Sequence, residues 1–86
     1  MKIKEGFILR EVAGENIVIA CGEELNLNMM ITLNDTGRFL WEHLEKDTTV
    51  DKLVAAICRE YDVSEEQAKA SVIAFVDKLS ANGFLE

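Results

Sequence analysis

The residues best suited to chemistry in this 86-residue chain are one histidine, His43, two cysteines, Cys21 and Cys58, and the serines Ser64, Ser71 and Ser80. Nucleophilic catalysis needs a base within hydrogen-bond reach of the nucleophile. His43 sits between Trp41 and Leu44 with no Ser, Cys or carboxylate at a spacing that marks a dyad. A thiol-based metal site needs clustered Cys and His, whereas Cys21 and Cys58 each sit in an apolar stretch, read as two buried free thiols. Phosphate binding through a glycine-rich loop needs closely spaced glycines. Gly6, Gly14, Gly22, Gly37 and Gly83 are widely separated and read as turns, caps or close packing. The acidic pair Glu23 and Glu24 suits a turn, and Glu65 and Glu66 suit a helix N-terminus. This inventory predicts no catalytic residues, no cofactor and no metal, and directs attention to binding.

Composition bounds what could be bound. The chain is long enough for one domain spanning residues 1–86, and its 49% apolar content suffices for a thin packed core. A formal charge of -7, from 16 acidic and 9 basic residues, repels phosphate backbones and anionic lipid surfaces. No nucleic acid and no membrane is therefore expected as partner. The apolar run from Ile17 to Cys21 is too short for a secretory signal or a transmembrane span, which predicts a cytoplasmic location.

The positioning elements follow from periodicity. Phe7 to Val12 and Asn16 to Cys21 are rich in Ile, Val and Phe and predict two strands, with Ala13, Gly14 and Glu15 as the hairpin connection. A turn at Gly22, Glu23 and Glu24 leads into a third strand, Leu25 to Leu33. Helical spacing takes over after Asn34 and Asp35, both good N-caps, with Phe39, Leu40, Trp41 and Leu44 facing inward. A second helix starts at Thr48 or Thr49 and repeats Val50, Leu53, Val54, Ile57 and Tyr61. The third opens with the capping-box pair Ser64 and Gln67, with Val63 placed to staple onto Ala68. Its apolar stripe is Ala68, Val72, Phe75, Val76 and Leu79, and Asn82 and Gly83 end it so that Phe84 and Leu85 return to the core. The predicted fold class is α+β, a three-stranded antiparallel meander followed by three helices (βββααα).

Within this skeleton the third strand stands out, because Leu25 to Leu33 contains no charge and no proline. Strand edges are ordinarily blunted by such residues. In a sequential meander the third strand has one neighbour, so its other row of N–H and C=O groups is open unless something covers it. Two readings remain at this point. Either a helix covers the edge or the strand is central, or a partner peptide adds to the edge through main-chain bonds. Met29 and Met30 suit an adaptable binding surface and are equally ordinary core residues.

The junction Leu33-Asn34-Asp35-Thr36-Gly37-Arg38-Phe39-Leu40-Trp41-Glu42-His43-Leu44 resembles the PqqD family, with its Leu-Asn pair closing the third strand and its Leu-Trp-Glu segment in the first helix. Thr48-Thr49-Val50-Asp51-Lys52-Leu53-Val54 resembles the family's entry to the second helix, and Tyr61-Asp62-Val63-Ser64 its link to the third. Leu79-Ser80-Ala81-Asn82-Gly83-Phe84-Leu85 resembles its C-terminal segment. Each piece is short, but their order and spacing cover essentially the whole chain.

The resemblance implies a winged-helix-like domain that is not an enzyme. Its implied role is to bind the leader segment of a ribosomally made precursor peptide and present it to a modifying enzyme such as a radical SAM protein. The leader would lie as an added strand on Leu27, Asn28, Met29, Met30, Ile31 and Thr32. Lys69, Val72, Ile73 and Val76 of the third helix would form the facing wall. Ile73 lies about 100° or more off the centre of the Val72, Phe75 and Leu79 stripe, so it is either part of that wall or a scattered surface residue. A homodimer through the same edge is a further possibility.

Two rivals come from other classes. A winged-helix nucleic-acid-binding or transcription-regulatory domain calls for a basic recognition helix, but the second and third helices mix Asp51, Glu60, Glu65, Glu66 and Asp77 with Lys52, Arg59, Lys69 and Lys78. An acyl or peptidyl carrier protein calls for a serine between Asp and Leu, whereas Ser64, Ser71 and Ser80 follow Val, Ala and Leu.

Overall fold

The computed structural model describes residues 1–20 and 31–86. Its elements are β1 (Phe7–Val12), β2 (Glu15–Ala20), β3 (Ile31–Leu33), α1 (Asp35–Leu44), α2 (Val50–Glu60) and α3 (Glu65–Ala81). The strands form an antiparallel sheet in the order β1-β2-β3, the expected βββααα arrangement.

β2 begins one residue earlier than its composition suggests. Ala13 and Gly14 both have positive φ, 52° and 79°, so they alone make a two-residue type I′ connection, and Glu15 pairs with Val12. Of the expected third strand, Ile31–Leu33 is seen, and the remainder lies outside the described residues, as does Cys21.

Each helix starts on a side-chain cap. Asn34 accepts from the N–H of Gly37 at 2.7 Å, Thr49 from that of Lys52 at 3.2 Å and Ser64 from that of Gln67 at 3.1 Å. Each cap satisfies one of the orphan donors of a first turn. At the far end of α3, Gly83 takes φ 77°, and the chain reverses so that Phe84 is buried and Leu85 bridges to Ile3.

The core joins one face of the sheet to all three helices. Phe7, Leu9, Val18, Ile31 and Leu33 meet Leu40, Trp41 and Leu44 of α1, Leu53 and Ile57 of α2, and Val72 and Leu79 of α3. Trp41 is 1% exposed, with its ring edge-on to Phe84 at 5.9 Å. Phe39 and Tyr61 are only half-buried and pack edge to face at 5.6 Å. Cys58 corrects the sequence reading, because it is exposed. At 100° per residue it falls beyond the edge of the buried arc formed by Leu53, Ala56 and Ile57.

Candidate functional site

Parity along the sheet decides which main-chain groups of β3 are free. In a two-residue hairpin the closing pair, Val12 and Glu15, exchanges both N–H···O bonds, and hydrogen-bonded pairs then alternate along the strands. Alternation turns the main-chain groups of Asn16 and Val18 toward β3, where their partners are Leu33 and Ile31. The N–H and C=O of Thr32 therefore point away from the sheet, and among the described residues no strand pairs with that side.

The end of this edge is pinned by a polar relay. Asn16 is 6% exposed; its Nδ2 donates to the carbonyl of Leu33 at 3.4 Å, and its Oδ1 accepts from Arg38 Nη1 at 2.9 Å. The Arg38 guanidinium also bonds Glu11 at 2.8 Å and Glu42 at 2.9 Å, and these carboxylates hold its pKa above the ordinary arginine value. α1 is thereby tied to β1 and β2 at the point where β3 ends.

Beside that end, α1 and α3 approach closely. A Cβ placed on Gly37 would stand 3.1 Å from Asn34 Oδ1, 3.3 Å from Leu33 Cβ and 3.3 Å from the Phe75 ring, so any larger residue would press these neighbours apart by a few tenths of an ångström. A groove of about 360 Å³ opens here, lined by Asn34, Thr36, Gly37, Leu40, Ser71, Ala74, Phe75 and Lys78. Leu40 and Phe75 give it an apolar floor, and Lys78 supplies a cation at its wall.

Of the sequence-predicted site residues, Leu27, Asn28, Met29 and Met30 lie outside the described residues. Ile31 is half-buried against the core, and Thr32 is exposed. Val72 has no exposed surface and belongs to the core, where it can support a wall only from behind. Lys69 faces α2, lining a separate groove with Val54, Ala55 and Cys58. Ile73 is 41% exposed and Val76 half-buried. Helical spacing puts both on the Lys69 flank of α3, about 100–160° round from Ser71, Phe75 and Lys78.

Sequence reasoning missed Ser71, Ala74 and Lys78, and it counted Phe75 only as part of the inward stripe. The available signal was Gly37, a helix-interior glycine early in α1 that marks where another element comes close. The histidine and the capping serine are structurally engaged. His43 Nδ1 donates to the carbonyl of Phe39 at 2.9 Å, and Ser64 caps α3.

No curated protein matches the sequence closely enough to count as a relative. Among solved structures, TbiB1 in complex with the TbiA(beta) leader peptide is similar with a TM-score of 0.80 at 24% identity, covering 100% of this chain and 95% of that one. A lasso peptide synthetase B1 complexed with the leader peptide is similar with a TM-score of 0.75 at 18% identity, covering 96% and 93%. At such identities the likeness establishes the fold. Residues 7–85 match the profile of coenzyme PQQ synthesis protein D, and the chain belongs to the PqqD family.

Proposed function

We propose that this domain binds the leader segment of a ribosomally made precursor peptide by strand addition to β3 and presents it to a modifying enzyme. A radical SAM enzyme is the partner that the family resemblance implies. The observation that carries the reading is the juxtaposition at the end of β3. The outward N–H and C=O of Thr32 stand at an edge that no strand pairs among the described residues, beside a groove floored by Leu40 and Phe75. An extended peptide takes main-chain bonds from such an edge and places alternate side chains in the adjoining pockets. Two structural neighbours with the same fold are complexes with leader peptides.

The rail includes Ile31 and Thr32, with Leu27, Asn28, Met29 and Met30 continuing it as the resemblance implies. For the wall, the geometry favours the flank of Ser71, Ala74, Phe75 and Lys78 over that of Lys69, Ile73 and Val76. The domain acts by holding and orienting a substrate, and it contributes no catalytic group. A dimer formed through the same edge would have to dissociate as peptide binds.

Titration calorimetry with the cognate precursor peptide tests the reading. Binding is expected with a dissociation constant near micromolar or tighter, about -8 kcal/mol or more favourable. Ala74→Tyr, which fills the groove from an exposed position, should weaken it at least tenfold, while Ile73→Ser should change it by less than about twofold. No heat and no amide shifts well above micromolar concentration would remove the proposal. A loss with Ile73→Ser alone would move the wall to the other flank.

A further inference from the structure

The sheet has a second open edge. Among the described residues β1 pairs only with β2, and the parity fixed by the Val12–Glu15 pair turns the main-chain groups of Phe7, Leu9 and Glu11 outward. Between this edge and α1 lies a groove of about 590 Å³, lined by Phe7, Ile8, Leu9, Glu42 and Glu45. Its apolar residues are half-buried, and its charged residues are both carboxylates.

Charge bookkeeping around the groove is one-sided. Arg38 bridges Glu11 and Glu42, so one cation faces two carboxylates, and Glu45 makes no ion pair with the described residues. The groove therefore carries uncompensated negative charge next to unpaired strand hydrogen-bonding groups. The β3 groove on the other side of the sheet differs, with Lys78 as the charged residue of its lining among the described residues.

We propose that the β1 edge and its groove dock a cationic, extended segment of a partner protein, one alternating Lys or Arg with apolar residues. Such a segment can pair with Phe7, Leu9 and Glu11 through its main chain and place its cations against Glu42 and Glu45. A second copy of this chain fits poorly there. Self-pairing of the edge would bring Glu11, Glu42 and Glu45 of two molecules together, each molecule already carrying a net charge of -7. The inference extends the presentation role proposed above by giving the second partner its own edge, and it stands or falls separately from peptide binding at β3.

The probe is a synthetic decapeptide alternating lysine and valine, titrated into the isotope-labelled protein and followed by amide shifts at low and at 0.5 M salt. Shifts are expected at Phe7, Leu9 and Glu11, with affinity falling on added salt. They should weaken by about five- to tenfold in Glu45→Lys, and an alternating glutamate and valine peptide should give none. Glu45 is exposed, so this variant keeps the fold, and an unchanged melting temperature verifies that. The proposal is overturned if β1 amides do not respond at millimolar probe, if Glu45→Lys binds as well as the parent, or if the shifts centre on Thr32 instead.

Discussion

Asn16 and Arg38 show how much of the proposed peptide edge depends on single side chains away from it. A buried amide left without partners costs more than the bonds it makes are worth, so the Asn16 bonds to Leu33 and Arg38 fix the end of β3 in one place. Trp41 does the same for the core. With 1% exposure and its ring against Phe84, truncation by Trp41→Ala is expected to cost about 3–5 kcal/mol, a large part of a small domain's stability. A circular dichroism melt unchanged from the parent would show that the ring is not buried. Ala13 carries the opposite kind of lesson, since it holds φ 52° without the freedom of glycine or the tolerance of asparagine. Ala13→Asn creates the Asn-Gly pair that a type I′ turn favours and should raise the melting temperature by a few degrees, up to about 1 kcal/mol. A fall would mean that the turn geometry differs. Asp47 gives the pH dependence. Its carboxylate bonds the Met1 ammonium at 2.8 Å, which holds its pKa below the ordinary value. A depressed carboxylate pKa stabilises the fold above the unfolded-state pKa, and the contribution is lost as pH falls through the folded value. The melting difference between the parent and Asp47→Asn should therefore be present at neutral pH and vanish at strongly acidic pH, and a difference that grows with acid would reverse the assignment.

Elements were legible from sequence where their signals were local, and illegible where they depended on packing. The caps at Asn34, Thr49 and Ser64 announce helices, because a short polar side chain before an apolar period has few other uses. The hairpin connection came out one residue too long because nothing about an alanine asks for positive φ. The burial expected of Cys58 failed because an apolar stretch on a helix still has an outer side. Which flank of α3 faces β3 depends on the approach of Phe75 to Gly37, a tertiary fact that the mixed composition of both flanks conceals. The uncharged run Leu25 to Leu33 drew attention to the edge of β3, but the parity that leaves Thr32 without a strand partner among the described residues needed the observed hairpin. That parity makes strand addition testable within β3. Thr32→Pro removes an outward donor and should leave the fold intact while peptide affinity falls below that of Thr32→Ala. Ile31→Pro removes a donor that pairs with Val18 and should destabilise the domain beyond Ile31→Ala. If Thr32→Pro remains folded and binds as tightly as Thr32→Ala, the peptide is held by side chains alone.

At the scale of the whole molecule, β2 is the spine and, among the described residues, each outer strand has one edge to offer, with α1 lying between the two grooves. The proposed presentation role calls for two separate sites, because the substrate and the enzyme that acts on it would be held at once. The two edges are separated by two strand spacings, roughly 10 Å, which is close to the Debye length of about 8 Å at physiological salt. Charge on one edge is therefore mostly screened from the other. Mechanical coupling through the sheet is also small when the strands stay in register, and sites that share no partners act nearly independently. The expected consequence is separability. In about 0.15 M salt, Glu45→Lys should bind the leader within roughly twofold of the parent, while Ala74→Tyr should leave the response of β1 amides to the lysine and valine probe unchanged. A saturating leader should still raise the melting temperature of Glu45→Lys, since ligand at a hundred times its dissociation constant stabilises by about 2.7 kcal/mol whatever occupies the other edge. Calorimetry on the two variants, each with both ligands, closes a double cycle. A coupling that exceeds about tenfold would show that the edges communicate, and the sheet would then be a relay between peptide and partner instead of a rigid spacer.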